Sequence, residues 1–298
     1  MTRAVYIDAT EQGERLLHEI GVPAGVRVHK GDPAPDVLRE LLADAEIALN
    51  GHTYMDAEAL AAAPQLRRII FLGTGASSYI DLGAAQRLGI AVDTISGYGD
   101  QAVAQHAIAL ALSAIRQIPA MDRAVRAGHW EPLPGHEFGE LTFGVVGMGG
   151  IGRATAQLAS SLGFRVIGWN RSAVVDAPCP MGSLDEVLAA ADVLSLHLAL
   201  NDDTAGLIDS QALSGMKPGG ILINTARAGL VDGTALLAAL DDGRLQHAAL
   251  DVFDMEPLPL ADPLVARPDV TLSAHAGYKT DAAMRRLLAE ALKRIACP

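Results

Sequence analysis

Apolar and polar positions alternate in blocks along the first hundred residues. Short apolar runs at residues 4–8, 26–29, 46–49, 68–72 and 90–94 predict strands. Apolar residues at helical spacing near 11–20, 35–43, 56–62 and 81–88 predict helices between them. Strands alternating with short helices imply an α/β fold with a parallel sheet covered on both faces. The pattern breaks at Ser96-Gly97-Tyr98-Gly99-Asp100, which reads as a hinge. A helix follows over 101–116, apolar around nearly its whole circumference, so it is expected to be buried on most sides, inside the protein or in a subunit interface. His106 on this helix reads as a satisfied core histidine rather than a catalyst. Residues 119–140 are polar, contain Pro, Gly and Trp130, and read as an arm of the kind that crosses to a partner subunit.

The second half resumes the alternation. Strands are predicted at 141–146, 164–169, 192–198, 220–225, 246–252 and 270–274, with a helix over 151–162. Ser183-Leu184-Asp185-Glu186 has the pattern of a capping box, Asp232 of an N-cap, and Gly243 of a helix end. A last helix is expected over 281–296. Between the first two of these strands, Gly147, Gly149 and Gly152 have G-x-G-x-x-G spacing. Strand, glycine turn, helix and strand together form the context of a dinucleotide-binding fingerprint. Gly147 permits the tight turn, Gly149 the approach of backbone N–H groups to a pyrophosphate, and Gly152 close helix–sheet packing. The helix N-terminus faces the phosphate charge.

Composition narrows the partners. The chain has 298 residues, half of them hydrophobic, enough for two cored domains or one large one. A net charge of −12 argues against nucleic acid, while leaving room for a small anion in a local basic pocket. Two cysteines, Cys179 and Cys297, imply no disulfide framework and fit a reducing cytoplasm. The N-terminus enters a strand pattern without a signal-type apolar core. The most apolar segment, 102–118, is short and interrupted by Gln105, His106, Ser113 and Arg116, so no membrane span is expected. No metal site is expected.

Three chemically capable residues follow successive apolar strands: Arg227 after I-L-I-N-T-A, Glu256 after the strand near 252, and His275 after V-T-L-S-A. In a parallel sheet these places converge on the carboxyl edge, where the nicotinamide half of a dinucleotide would lie. Arginine suits bidentate capture of a carboxylate. Histidine moves a proton near neutral pH, and a bonded glutamate orients its ring and favours the imidazolium. In the first half, Gly73-Thr74-Gly75-Ala76 follows a strand and offers backbone N–H groups to an anion; a plain turn fits it equally. Asn50-Gly51-His52-Thr53 ends another strand, on weaker grounds.

The ordered motifs G-V-V-G-M-G-G-I-G, L-S-L-H-L-A-L-N-D-D-T-A-G-L-I, M-K-P-G-G-I-L-I-N-T-A-R-A-G-L-V-D, A-L-D-V-F-D-M-E-P-L-P and S-A-H-A-G resemble the D-isomer-specific 2-hydroxyacid dehydrogenases over nearly the whole chain. The resemblance implies two doubly wound parallel-sheet domains: a Rossmann coenzyme domain, 98–277, inserted in a flavodoxin-like substrate domain, 1–97 plus 278–298. It implies that Arg227 binds the substrate carboxylate and polarises the keto group, that His275 is the general acid/base, and that Glu256 is its partner. It implies that Asp251 contacts the nicotinamide end and that the amides of Gly73, Thr74, Gly75 and Ala76 hold the substrate carboxylate. Gly150, Ile151, His197, Thr225 and Ala226 fall in the cofactor-lining motifs. A homodimer built through the coenzyme domain is also implied. Ala199, Ala228 and Ala274 depart from the family's usual Pro, Gly and Pro, and Tyr278-Lys279 stand where small residues are commoner; none removes a catalytic group.

The end of the second Rossmann strand bears on the cofactor. An acidic residue there bonds the adenosine ribose. Here Asn170, Arg171 and Ser172 occupy the place, a set that does not repel a 2′-phosphate and can bond it, so NADP(H) is the expected preference. The alternative, Asn170 on the ribose of NAD(H) with Arg171 in solvent, stays open. The expected reaction is hydride transfer between NADP(H) and a small 2-keto acid or D-2-hydroxy acid; NADP-preferring relatives make glyoxylate and hydroxypyruvate the first substrates to try. Two rivals are a formate-dehydrogenase-like enzyme, where glutamine usually replaces Glu256, and a non-enzymatic dinucleotide-sensing protein resembling corepressors of this fold.

Overall fold

The computed structural model describes residues 3–296. The chain divides into two compact units, residues 3–99 with 279–296, and residues 100–278. The outer ends of the expected substrate domain, 1–2 and 297–298, and with them Cys297, lie outside the described residues.

The first unit carries β1 (Ala4–Ala9), α1 (Glu11–Ile20), β2 (Val26–Lys30), α2 (Pro35–Leu42), β3 (Ile47–Asn50), α3 (Ala57–Ala61), β4 (Arg68–Phe71), α4 (Leu82–Arg87) and β5 (Ala91–Thr94). Its sheet is wholly parallel in the order β2-β1-β3-β4-β5. The two central strands β1 and β3 are buried along their full length, whereas the edge strands β2 and β5 are partly exposed, as expected when helices cover both faces. Ile7, Leu42, Leu49 and Ile69 fill this core. Thr10 and Asp56 cap α1 and α3, each accepting from a backbone N–H. The last helix of the chain, Asp281–Ala296, packs on α1, and its Asp281 accepts from Gln12 and Arg15.

The second unit carries α5 (Asp100–Ile115), α6 (Ile118–Arg126), β6 (Thr142–Val146), α7 (Gly150–Ser161), β7 (Arg165–Trp169), α8 (Leu184–Ala190), β8 (Val193–Leu196), α9 (Ser210–Gly215), β9 (Gly220–Asn224), α10 (Gly233–Asp241), β10 (Leu245–Leu250) and β11 (Val270–Leu272); α11 is the Asp281–Ala296 helix. All strands run parallel in the order β11-β10-β9-β8-β6-β7. A single parallel bridge from Met181 to Gly168 lies beyond β7, where a doubly wound dinucleotide fold has its third strand. The winding reverses between β6 and β8. Successive residues of the central strands feed opposite cores. Leu194, Leu196 and Leu222 face α8, α9 and α10; Phe143, Val145, Ile221 and Ile223 face α5 and α7.

Two local features differ from the sequence expectation. The stretch read as an arm contains α6: Pro119 sits in its first turn, where a missing N–H costs nothing, and Gln117 at φ +50 separates it from α5. The short α9, capped by Asp209, has no counterpart among the predicted elements. The apolar circumference of α5 is accounted for within its own unit, where it packs on α7, β9 and β10. Among the described residues no helix is long and apolar enough to cross a membrane, and no group of metal-ligating side chains is found.

Candidate active site

The glycine turn connects β6 to α7 at the point where the winding reverses. Gly147 has φ +100, and a Cβ there would lie 2.6 Å from the carbonyl oxygen of His197. At Gly152 a Cβ would stand 1.8 Å from the Gly147 carbonyl oxygen, so only glycine lets α7 start this close to the strand. Gly149 is the N-cap of α7, no side chain caps the helix, and a Cβ on it would meet nothing within 4 Å. An uncapped helix start beside open space fits a pyrophosphate. Gly150 differs: its missing Cβ would fall 1.8 Å from an Asp100 carboxylate oxygen, so the first residue of α5 packs on the first turn of α7.

The second strand of the fingerprint ends in residues already engaged by the protein. Asn170 Oδ1 accepts from Met148 N at 3.0 Å, and its Nδ2 donates to Ser172 O at 3.0 Å. Asn170 therefore braces the glycine turn. Arg171 donates to Asp203 at 2.6 Å, a pair in which both side chains are mostly exposed. Asp203 lies 32 residues on, and nothing in the spacing points to it.

His197 and Thr225 follow the paired ends of β8 and β9. His197 Nε2 meets Ser195 Oγ at 2.9 Å, while His197 Nδ1 and Thr225 Oγ1 are both buried and without a hydrogen-bond partner. Burial pushes the His197 imidazole down to about 3, so it stays neutral. Two orphaned polar atoms at the carboxyl edge suit a polar ligand in that crevice. Ala226 N donates to Asn224 Oδ1 at 3.0 Å, and Asn224 Nδ2 donates to Arg227 O at 2.9 Å, so the buried Asn224 holds the loop that presents Arg227. Arg227 is half-buried and donates one N–H to Ala226 O.

Arg227, Glu256 and His275 follow β9, β10 and β11, which are neighbours in the sheet. Glu256 and His275 are in direct contact, Glu256 Oε2 lying 2.7 Å from His275 Nδ1, while Glu256 Oε1 accepts from Phe253 N at 3.0 Å. The carboxylate oxygen at Nδ1 requires the ring proton there, which leaves Nε2 as the nitrogen free to exchange a proton. The His275 backbone is left-handed at φ +48. Tyr278 meets the imidazole edge to face, ring centres 6.2 Å apart.

Asp251 lies beneath this turn and is 1% exposed. Its Oδ1 accepts from Ser273 Oγ at 2.5 Å and Ala276 N at 2.9 Å, and its Oδ2 from Gly277 N at 2.9 Å. Burial pushes this carboxyl up, but the donors from His106, Ser273, Ala276 and Gly277 outweigh burial and bring it to about 2. His106 is not a simple core residue: its side chain keeps 26% of its surface, and Nε2 reaches Asp251 Oδ1 at 3.3 Å and Ser273 Oγ at 3.0 Å. The apolar surroundings of His106 in the sequence concealed this link.

Gly73, Thr74, Gly75 and Ala76 belong to the first unit. They follow β4, with Gly73 N bonded to Phe71 O, Ile95 N bonded to Gly73 O, and a 3-10 turn starting at Ala76. In the same unit, buried Asp8 accepts from the backbone N–H groups of Gly51, His52 and Thr53 and so shapes the loop after β3.

Residues 108–277 match the family model described as D-isomer specific 2-hydroxyacid dehydrogenase, NAD binding domain. The chain is 38% identical over 293 residues to a D-3-phosphoglycerate dehydrogenase of Mycobacterium bovis, covering 96% of this chain and 55% of that protein. It thus spans about half the length of this curated relative. It is 38% identical over 239 residues to a glyoxylate reductase of Aeropyrum pernix, covering 76% of this chain and 71% of that one. A crystal structure of a Thermus thermophilus protein is similar at a TM-score of 0.86 and 34% identity, covering 99% of this chain and 96% of that one. With its two parallel-sheet units, its glycine turn and its histidine–glutamate pair, the chain belongs to the D-isomer-specific 2-hydroxyacid dehydrogenase family.

Proposed function

We propose that the protein is an oxidoreductase that interconverts a small 2-keto acid and its D-2-hydroxy acid, with NADP(H) preferred to NAD(H). The observation that carries the proposal is the 2.7 Å contact between His275 Nδ1 and Glu256. A bound nicotinamide dinucleotide would supply the hydride for reduction and take it back in the reverse direction. Arg227 binds the substrate carboxylate. Imidazolium His275 gives its Nε2 proton to the substrate oxygen as the carbonyl becomes an alcohol, and Glu256 stabilises the charged ring before transfer. In oxidation, neutral His275 removes the alcohol proton through Nε2. The backbone amides of Gly149, Gly150, Ile151 and Gly152 hold the pyrophosphate, with His197, Thr225, Ala226 and Asp251 along the crevice.

Preference for NADP(H) is supported by the lack of a carboxylate at the end of β7 and by Arg171 beside Ser172; a 2′-phosphate has to draw Arg171 from Asp203. Glyoxylate and hydroxypyruvate are the first substrates proposed, in line with the glyoxylate reductase relative. A second substrate, D-3-phosphoglycerate, is favoured by the 38% identity over 293 residues to a dehydrogenase of that name. The proposal includes a homodimer formed through the second unit, supported by the exposed apolar side chains of Ile118, Val125 and Trp130 on and after α6, and a cytoplasmic setting, which fits a chain with two cysteines.

The test is steady-state kinetics with a panel of 2-keto acids against NADPH and NADH, and with D-3-phosphoglycerate against NADP and NAD. Turnover of glyoxylate or hydroxypyruvate with a higher kcat/KM for NADPH is expected. A higher value for NADH refutes the coenzyme preference, oxidation of D-3-phosphoglycerate alone selects the second substrate, and no turnover with any acid refutes the enzymatic proposal.

A further inference from the structure

We infer that His106, on α5, is a positioning residue for His275 and acts through Ser273 and Asp251. This rests on the acid–base role proposed for His275. Three successive amides after β11 end on Asp251: His275 N on its carbonyl oxygen at 2.9 Å, Ala276 N on Oδ1 at 2.9 Å and Gly277 N on Oδ2 at 2.9 Å. Two consecutive N–H groups on the carboxylate and the preceding one on the carbonyl of the same residue tie the turn to Asp251 and hold His275 in its left-handed conformation.

Proton bookkeeping fixes the role of His106. Ser273 has one hydroxyl proton, and at 2.5 Å it lies on Asp251 Oδ1. The ionised carboxylate has none to give. The proton in the 3.0 Å contact between His106 Nε2 and Ser273 Oγ is therefore on Nε2, and the same N–H approaches Asp251 Oδ1 at 3.3 Å. His106 thus completes the donor set of a carboxylate that is otherwise enclosed and fixes the rotamer of Ser273. The fit is close: a Cβ on Gly277 would lie 3.1 Å from Asp251 Oδ2 and 3.5 Å from His106 Cδ2. Without the Nε2–H, Ser273 and Asp251 are free to shift, and the turn carrying His275 shifts with them.

The experiment compares His106→Leu, which keeps bulk on α5 but removes the donor, with His106→Gln, which returns an N–H near the place of Nε2, and with Ser273→Ala. Each is made in the full chain. With saturating reduced coenzyme, His106→Leu and Ser273→Ala are each expected to lower kcat for keto-acid reduction about tenfold, part of what a misplaced catalytic group forfeits. The KM for coenzyme, whose crevice Asp251 also lines, is expected to rise by no more than about threefold, well short of the loss of kcat, and His106→Gln to return kcat to within about threefold of wild type. The double variant loses no more than the larger single loss, because both act through Asp251. A readout independent of turnover is the Cε1–H signal of His275 by NMR, expected to be single in the wild type and in His106→Gln, and broadened or doubled in Ser273→Ala and His106→Leu. Wild-type kcat in His106→Leu, a rise in coenzyme KM matching the loss of kcat, failure of His106→Gln to restore turnover, or an unchanged His275 signal overturns the inference. If His106→Leu does not fold, Ser273→Ala and His106→Gln decide it by the same outcomes. If the wild type reduces no keto acid, the acid–base proposal falls and the NMR comparison alone decides the link to His106.

Discussion

His275 occupies a left-handed backbone conformation at φ +48. For a residue with a Cβ that costs roughly 1–2 kcal/mol, and it persists because the amides on Asp251 over-determine the turn. The imidazole is therefore presented by a strained but well-tied backbone, with one nitrogen assigned to Glu256 and the other left for chemistry. Replacing His275 by Ala is expected to lower keto-acid turnover by at least about 10²-fold, the lower range for loss of a positioned acid or base. Coenzyme affinity, measured by fluorescence titration, should change by less than about twofold, since no coenzyme-binding part of the turn is removed. Full turnover in that variant would remove His275 from the mechanism. Arg171 is a different case. Its pair with Asp203 is exposed on both sides, 62% and 72%, and an exposed pair contributes less than about 1 kcal/mol. A 2′-phosphate carries more charge and more acceptor oxygens, and should displace it. Arg171→Ala should reduce kcat/KM for NADPH by about tenfold or more while leaving NADH nearly unchanged, the loss expected for one charge-assisted contact. No loss with NADPH would show that Arg171 points away from the adenosine, and equal losses on both coenzymes that it does not read the 2′-phosphate.

The strand–turn–helix from β6 to α7 shows how one element is built for a ligand. Its tolerance is lowest at Gly152, where an added Cβ would lie 1.8 Å from the Gly147 carbonyl oxygen. The helix would have to move off the strand. Gly152→Ala should therefore lower stability by about 1–3 kcal/mol, the usual range for overpacking, seen as a drop in Tm. Because the helix start is the proposed pyrophosphate site, coenzyme affinity should fall in the same variant. Wild-type Tm and affinity together would mean that the helix can shift off the strand at no cost. The α6 segment makes the opposite point. Nothing on it is buried within its own unit, and Trp130 beyond it is 85% exposed, so its apolar side chains are available to a second copy.

Acid should destabilise the protein through three groups in two successive pH windows. Burial holds His197 at about 3 and His247 at about 4, whereas an unfolded histidine titrates near 6.5. Between about pH 6.5 and 4 the unfolded chain thus binds more protons than the folded one. Stability rises with pH through that window by up to about 1.4 kcal/mol per pH unit for each histidine, and this contribution is complete above about 6.5. Asp251, depressed to about 2, adds stability that is present above about pH 4 and lost as the pH falls through about 2. Urea midpoints at about pH 7, 6 and 5 should decline in order, and His247→Gln should shallow the decline. A flat profile would mean that these imidazoles are solvated.

Much of the architecture was legible in the residue pattern because its causes are local. The periodicity that places α1 at Glu11–Ile20 and α11 at Asp281–Ala296 needs only the face each helix buries. The glycine turn is legible for the same reason: one short segment must turn, admit a backbone and let a helix approach. Chain order likewise puts Arg227, Glu256 and His275 after successive strands. The contacts between distant segments were not legible. His106 meets Ser273 across 167 positions, and Arg171 meets Asp203 across 32. The third strand of the coenzyme fold shrinks to one bridge at Met181, and α6 forms within the stretch read only as an arm. Hydrogen-bond reach is a distance of about 3 Å between groups whose separation along the chain carries no metric information, so only the packed strands and helices could decide which donors met Asp251 and what held His275 in its turn.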